Sequence, residues 1–169
     1  PIHAGILNLE GRCMTSDLQF FKFDLSGQTA VVTGGAGILC AGMCKALAGA
    51  GASVAVLDLN LEAAQALADE INQAGGKASA AACNVLDKAS VQAAAETVLR
   101  QFGRVDILIN GAGGNKPQAT TNPQTSFFDL PADALRWVFD LNLLGTILPS
   151  QVFGSLMAAQ KHGVILNIS

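Results

Sequence analysis

Short apolar runs alternate along this chain with longer stretches in which apolar residues recur every three or four positions. Thr29-Ala30-Val31-Val32-Thr33 is rich in β-branched residues and ends in Gly34-Gly35-Ala36-Gly37, which predicts a buried strand entering a glycine turn. Leu39, Met43, Cys44, Leu47 and Ala48 follow at helical spacing, and Gly49-Ala50-Gly51 stops that helix. A second strand over 53–57 closes on Asp58. The spacing then predicts a helix over 61–74, with Leu61, Ala64, Leu67, Ala68 and Ile71 on one face and Gly75-Gly76 as its stop. A weaker strand over 77–83 leads to Asn84-Val85. Val91, Ala94, Ala95, Val98 and Phe102 mark a helix over 90–102, ended by Gly103. The fourth strand, 105–109, runs into Asn110-Gly111-Ala112-Gly113-Gly114. A polar stretch with Asn115, Pro117, Asn122 and Pro123 reads as a long loop. A helical region over 131–159, kinked at Pro149, and a fifth strand over 164–168 complete the order.

Near-continuous apolar strands alternating with helices indicate a parallel sheet covered on both faces. The expected fold is α/β, a three-layer, doubly wound, Rossmann-like sheet with strand order 3-2-1-4-5. Residues 1–25 read as an N-terminal extension and lead-in to the first strand, and 26–169 as a dinucleotide-binding domain.

Composition narrows the function. Half of the 169 residues are apolar and 14% are charged, enough for a real core and unlike a disordered segment. A net charge of −3 argues against nucleic acid or an anionic membrane as partner. The apolar stretch 135–159 is a poor membrane span, because Arg136, Asp140, Asn142, Pro149 and Gln151 interrupt it. Cys13, Cys40, Cys44 and Cys83 form no Cys-x-x-Cys, and His3 and His162 are the only histidines, so no metal site is expected. Cys40 and Cys44 read as small buried hydrophobes, and the lack of a disulfide framework implies a reducing, cytoplasmic setting.

The chemistry starts at the first turn. Gly35-x-Gly37-x-x-Cys40 is a dinucleotide fingerprint with its last glycine replaced. Glycines let the backbone turn tightly and approach a pyrophosphate, whose charge then sits at a helix N-terminus. Asp58, at the end of the next strand, can accept hydrogen bonds from an adenosine ribose and repel a 2′-phosphate, which favours NAD over NADP.

Taken together, Thr33-Gly34-Gly35-Ala36-Gly37, Asp58, Asn84-Val85, Asn110-Gly111-Ala112-Gly113, Asn142 and the strand Ile165-Leu166-Asn167-Ile168-Ser169 resemble the short-chain dehydrogenase/reductase superfamily from about Phe23 onward. Within it, the stretch 110–121, Phe127-Phe128-Asp129-Leu130 and Phe139-Asp140-Leu141-Asn142-Leu143-Leu144-Gly145 look most like the D-mannonate oxidoreductase-like group, which interconverts D-mannonate and D-fructuronate with NAD. The resemblance implies that Gly34, Gly35, Gly37, Ile38 and Leu39 line the cofactor phosphates. It implies that Asp58 holds the adenosine ribose, with Leu59 beside the adenine. Asn84 stands where the family usually has Asp before Val85, and its carbonyl can meet the adenine amino group. Asn110 would help hold the sheet and the cofactor ribose, with Ala112 and Gly113 near it. Asn142 matches the helix asparagine that supports a proton-relay water, and is the catalytic candidate. Asn115 and Lys116 are candidates to reach a sugar-acid carboxylate.

The family reaction also uses a Ser, a Tyr and a Lys four residues after the Tyr, and this sequence contains no Tyr. Ser169 aligns with the first Ser of the family's Asn-Ile-Ser-Ser, whereas the catalytic one is the second. The expectation is therefore the N-terminal, cofactor-binding portion of an NAD-dependent oxidoreductase acting on a sugar acid, with its catalytic Ser, Tyr and Lys beyond Ser169. A homo-oligomer paired through the long helices is the implied assembly. Two alternatives stand beside it: another alcohol or 3-oxoacyl substrate, and a non-catalytic nucleotide-binding module.

Overall fold

The structure is a computed structural model that describes residues 23–168. Most of the expected extension, with His3 and Cys13, lies outside the described residues, as does Ser169. The strands are β1 (Thr29–Thr33), β2 (Ser53–Asp58), β3 (Lys77–Ala82), β4 (Ile107–Asn110) and β5 (Val164–Asn167). The helices are α1 (Ile38–Gly49), α2 (Leu61–Gln73), α3 (Lys88–Phe102), α4 (Ala132–Phe139) and α5 (Gly145–Gln160).

All four strand pairs are parallel, in the order β3-β2-β1-β4-β5. The pleat sorts the core into two layers. Ala30, Val32, Val54 and Val56 pack with Cys40, Cys44, Ala64, Leu67 and Ala68 of α1 and α2 on one face. Val31, Ala55, Leu57 and Leu108 pack with Val91, Ala95 and Val98 of α3 and Phe153 and Met157 of α5 on the other. Successive strand residues therefore feed opposite layers, as period-2 geometry requires. The expected three-layer fold and strand order are found.

Several boundaries differ from the sequence expectation, each for a physical reason. Helix α3 starts at Lys88, because Asp87 caps it by accepting the Ala89 N–H. The ladder of β4 starts at Ile107, because the Gln160 side chain takes both the N–H and the carbonyl of Val105. Leu61, expected on the buried face of α2, is the first residue of that helix and 47% exposed. The stripe of α1 that faces the core is Cys40, Cys44 and Ala48, while Leu39 is exposed where the helix opens on a cavity.

The long helical region is interrupted at Asp140–Leu144, a π-helical turn between α4 and α5, rather than at Pro149. Pro149 sits buried inside α5, and the carbonyls of Asn142 and Thr146 are taken up by the hydroxyls of Thr146 and Ser150. Ala132–Gln160 is long and apolar enough to cross a membrane by length and composition. Phe153 and Met157, however, are buried against the sheet, so this helix supplies core.

Candidate cofactor site

A cavity of about 390 Å³ opens at the carboxyl ends of the strands. That size lies within the range of small-molecule sites, and the carboxyl edge is where open α/β sheets bind ligands. Gly34, Gly37, Ile38, Leu39, Asp58, Leu59, Asn84, Val85, Ala112 and Gly113 line it. Ten expected site residues, drawn from four strand ends, thus converge on one space.

The glycine turn forms its floor. Gly34 has φ +61°, and a Cβ there would stand 2.8 Å from Ala112 Cα, so both its conformation and its neighbour demand glycine. Gly37 precedes α1 and offers no side-chain cap, and the first turn of α1 contains no acidic residue. Helices α2 and α3, by contrast, are capped by Asn60 and Asp87. The first-turn N–H groups of α1 therefore reach the cavity edge without a side-chain acceptor, which suits an anion. Gly35 is a correction: it is buried and does not line the cavity. Its N–H donates to the Leu57 carbonyl at 3.0 Å, and a Cβ would meet Val56 Cγ1 at 2.8 Å, so this glycine lets the turn lie against β2.

Asp58 closes one side. Its Oδ2 accepts the Ala36 N–H at 3.1 Å and its Oδ1 the Asn60 N–H at 3.0 Å. Each oxygen keeps a further lone pair for a ligand hydroxyl. Asn84 lies beside it at the end of β3, and its Oδ1 accepts the Leu86 N–H at 3.0 Å.

Asn110 does not line the cavity either. Fully buried, it donates from Nδ2 to Ser150 Oγ at 2.9 Å and to Asn167 Oδ1 at 2.8 Å, which ties β4 to α5 and β5. Its Oδ1 has no partner among the described residues. The structure thus shows its sheet-holding role. Asn142, in the π turn, accepts the Gly114 N–H on Oδ1 and donates to the Gly114 and Val138 carbonyls. A Cβ at Gly113 would stand 2.8 Å from that Oδ1. The side chain of Asn142 therefore clamps the loop that forms the cavity wall.

Thr33 carries a role that sequence reasoning missed. Its Oγ1, at the end of β1, accepts the N–H groups of Gly111 and Ala112 at 3.2 and 3.3 Å, which joins the two glycine-rich turns. A hydroxyl at a strand end between two glycine turns was the available signal. Cys40, Cys83, Gly111, Leu141 and Ile168 also line the cavity without having been singled out for it. Burial, with Asp58 nearby, pushes the Cys40 thiol up, and pushes Cys83 up to about 11. Cys44 is pushed up to about 12 by burial and by Cys40. These thiols stay protonated near neutral pH and act as packing, not as nucleophiles. Among the described residues no cluster suits a metal ion.

Asn115 and Lys116, on the β4–α4 loop, are not among the residues that line the cavity, and Lys116 Nζ lies 5.3 Å from the centre of the Trp137 ring. Asn115 Oδ1 accepts the Lys116 N–H at 2.8 Å, and Asn115 Nδ2 donates to Thr120 Oγ1 at 2.8 Å.

Comparison with known proteins matches residues 28–169 to the short chain dehydrogenase family. The uncharacterized oxidoreductase UxuB of Bacillus subtilis is 46% identical over 154 residues, covering 86% of this chain and 55% of that protein. The D-threitol dehydrogenase of Mycolicibacterium smegmatis is 38% identical over 149 residues, 88% of this chain and 55% of that protein. A solved structure of a "putative D-Mannonate oxidoreductase" from Haemophilus influenza, with bound NAD, has a TM-score of 0.81 and 43% identity, covering 86% of this chain and 56% of that one. The chain spans about half the length of the curated relatives it matches.

Proposed function

This chain belongs to the short chain dehydrogenase family, and on that premise we propose that it binds NAD and serves hydride transfer between the nicotinamide and a sugar acid, D-mannonate and D-fructuronate being the leading pair. The observation that carries the cofactor reading is the convergence of Gly34, the uncapped N-terminus of α1 and Asp58 on one cavity. In this reading the first-turn N–H groups of α1 hold the pyrophosphate, and Asp58 accepts the hydroxyls of the adenosine ribose. Ala112 and Gly113, braced by Thr33 and Asn142, form the wall beside the nicotinamide half. Bound NAD supplies the hydride carrier. Asn142 acts by holding that wall, and the proposed proton relay runs beside it. These 169 residues hold no Tyr, so the part proposed for them is binding and positioning.

The sugar-acid reading is supported by the likeness of 110–145 to the D-mannonate oxidoreductase-like group and by the neighbour of that description. Lys116 offers the positive charge that a carboxylate substrate needs. The exposed apolar side chains Phe139, Leu143, Leu144 and Ile147 support pairing of two copies through the long helices. The free, buried Cys40, Cys44 and Cys83 support a reducing, cytoplasmic setting.

Calorimetric titration with NADH and NADPH, followed by assays of D-fructuronate reduction against a panel of ketones and 3-oxoacyl compounds, tests the proposal. Preference for NADH and for D-fructuronate is expected. Tight NADH binding with no turnover on any substrate would establish the nucleotide-binding module instead. A better ketone or 3-oxoacyl substrate would retain the dehydrogenase and remove the sugar acid.

A further inference from the structure

The junction of α4 and α5 is held by side chains where its backbone ladder is weak. Asp140–Leu144 form the π turn, and Pro149 has no N–H to give the carbonyl four residues before it. Along this stretch three polar side chains, spaced by four and so on one stripe, each donate to the carbonyl one turn back. Asn142 Nδ2 donates to the Val138 carbonyl at 2.8 Å, Thr146 Oγ1 to that of Asn142 at 3.0 Å, and Ser150 Oγ to that of Thr146 at 2.7 Å. Both ends of the stripe are anchored at the rim of the cavity. Asn142 grips the N–H and the carbonyl of Gly114, while Ser150 accepts from Asn110, whose carbonyl takes the N–H of the cavity-lining Ile168. Leu141 of the π turn lines the cavity, and a Cβ on Gly145 would meet the cavity-lining Val85 at 2.9 Å. Thr146 is the middle link and is not among the lining residues.

We propose that Thr146 is a positioning residue for the dinucleotide: its hydroxyl holds the bend between α4 and α5 that keeps Asn142 on Gly114 and so keeps the cavity wall in place. This rests on the cofactor reading above. A hydroxyl that donates to the carbonyl four residues earlier bends a helix, and here the bond falls where α4 passes into α5. The direction of that bend sets where Asn142 points. Asn142 must meet a donor and an acceptor of one residue together, a two-point grip that tolerates little displacement, because hydrogen bonds weaken steeply as they lengthen and tilt. Without the hydroxyl the bend relaxes, the grip on Gly114 opens, and the wall at Ala112 and Gly113 loses its brace. The methyl of Thr146 has no part in this, which separates the hydroxyl from simple packing.

The test compares wild type with Thr146→Val, which keeps the shape and loses the hydroxyl, and Thr146→Ser, which keeps the hydroxyl and loses the methyl. Two quantities are read: amide hydrogen exchange by NMR, and NADH affinity by calorimetry. In Thr146→Val the Gly114 amide should exchange at least about threefold faster, with core amides such as that of Leu108 unchanged, and NADH affinity should fall by at least about threefold. In Thr146→Ser both should return to within about twofold of wild type. Wild-type behaviour of Thr146→Val, or a larger effect in Thr146→Ser, overturns the proposal and leaves the cofactor reading intact. Exchange that quickens throughout the sheet along with Gly114 overturns it too, because Thr146 then serves stability alone. A wild-type protein that binds no NADH overturns the proposal and the cofactor reading together.

Discussion

The two ends of this parallel sheet are built on opposite principles. At the amino end, Asp106 is fully buried, and its carboxylate accepts the Thr29 N–H at 2.9 Å and two N–H groups of Arg104, from Nε at 2.8 Å and Nη2 at 2.7 Å. Gln160 satisfies both backbone groups of Val105, and His162 Nε2 lies 3.9 Å from Asp106 Oδ1. Polar groups there are spent on one another. At the carboxyl end the donors of α1, the amide of Asn84 and the spare lone pairs of Asp58 remain available around a cavity. A fold of this kind can invest its stability at one end and keep hydrogen-bonding capacity for a ligand at the other.

Asp106→Ala tests that division most severely. It leaves the buried Thr29 N–H without an acceptor and Arg104 without its carboxylate. We expect a loss of roughly 3 kcal/mol in denaturant unfolding, with NADH affinity of the folded protein unchanged. A large loss of affinity at unchanged stability would show that the two ends are not separable.

Gly34→Ala acts at the other end and should lower NADH affinity as well as stability. The new Cβ meets backbone atoms of Ala112 at 2.8 and 2.9 Å, and φ +61° is strained for alanine. Stability should fall by about 2 kcal/mol, and NADH affinity by more than about tenfold, because the turn or the cavity wall must move. Unchanged affinity would remove the glycine turn from the binding surface.

The acid limb of stability sharpens the amino-end account. Burial by itself pushes the Asp106 carboxyl up, but the hydrogen bonds from Arg104 and Thr29, with the charges of Arg104 and His162, outweigh it and hold it below the ordinary 3.8. A folded value below the unfolded one means that the unfolded chain binds the proton more readily in the window between them. The contribution of Asp106 is therefore complete above about pH 4 and lost as pH falls through the folded value. In unfolding curves taken from pH 7 to pH 2, the stability gap between wild type and Asp106→Asn should narrow over the acid range. A constant gap would assign Asp106 a shape role rather than a charge role.

How far the chain disclosed this in advance depends on the kind of signal. Strand order was legible, because the runs at 29–33, 53–57 and 105–109 are nearly unbroken apolar stretches separated by helical spacing and glycine stops. The cleft was legible too, since the residues that line it recur just after each run. Contacts between distant side chains were not. No local pattern says that Thr33 bonds the 111–112 turn, that Gln160 shortens β4, or that Asn142 clamps Gly114. The π turn likewise depends on that clamp and on packing, while the visible sequence signal, Pro149, pointed further along the helix.

The smallest effect concerns whether the carboxyl end, open at its surface, is tightly packed beneath. Cys40 stands where the fingerprint has its last glycine, a position at which the lack of a side chain lets helix and strand pack closely. The structure shows what accommodates it: residue 111 is glycine, and a Cβ there would collide with Cys40 Sγ. The thiol occupies that space and faces the Gly111 carbonyl at 3.8 Å. The two positions are thus one steric unit. Gly111→Ala alone should cost about 2 kcal/mol, since the new methyl meets the thiol and also the Thr33 carbonyl at 3.0 Å. In a Cys40→Ala background the thiol is gone and only the carbonyl contact and a Cβ contact at 3.8 Å remain. The same change should then cost about 1 kcal/mol, which is a coupling of about 1 kcal/mol in a double-mutant cycle. Additive costs would mean that the carboxyl end yields as easily below its surface as at its mouth, and the contrast with the interlocked amino end would then extend through the whole depth of the sheet.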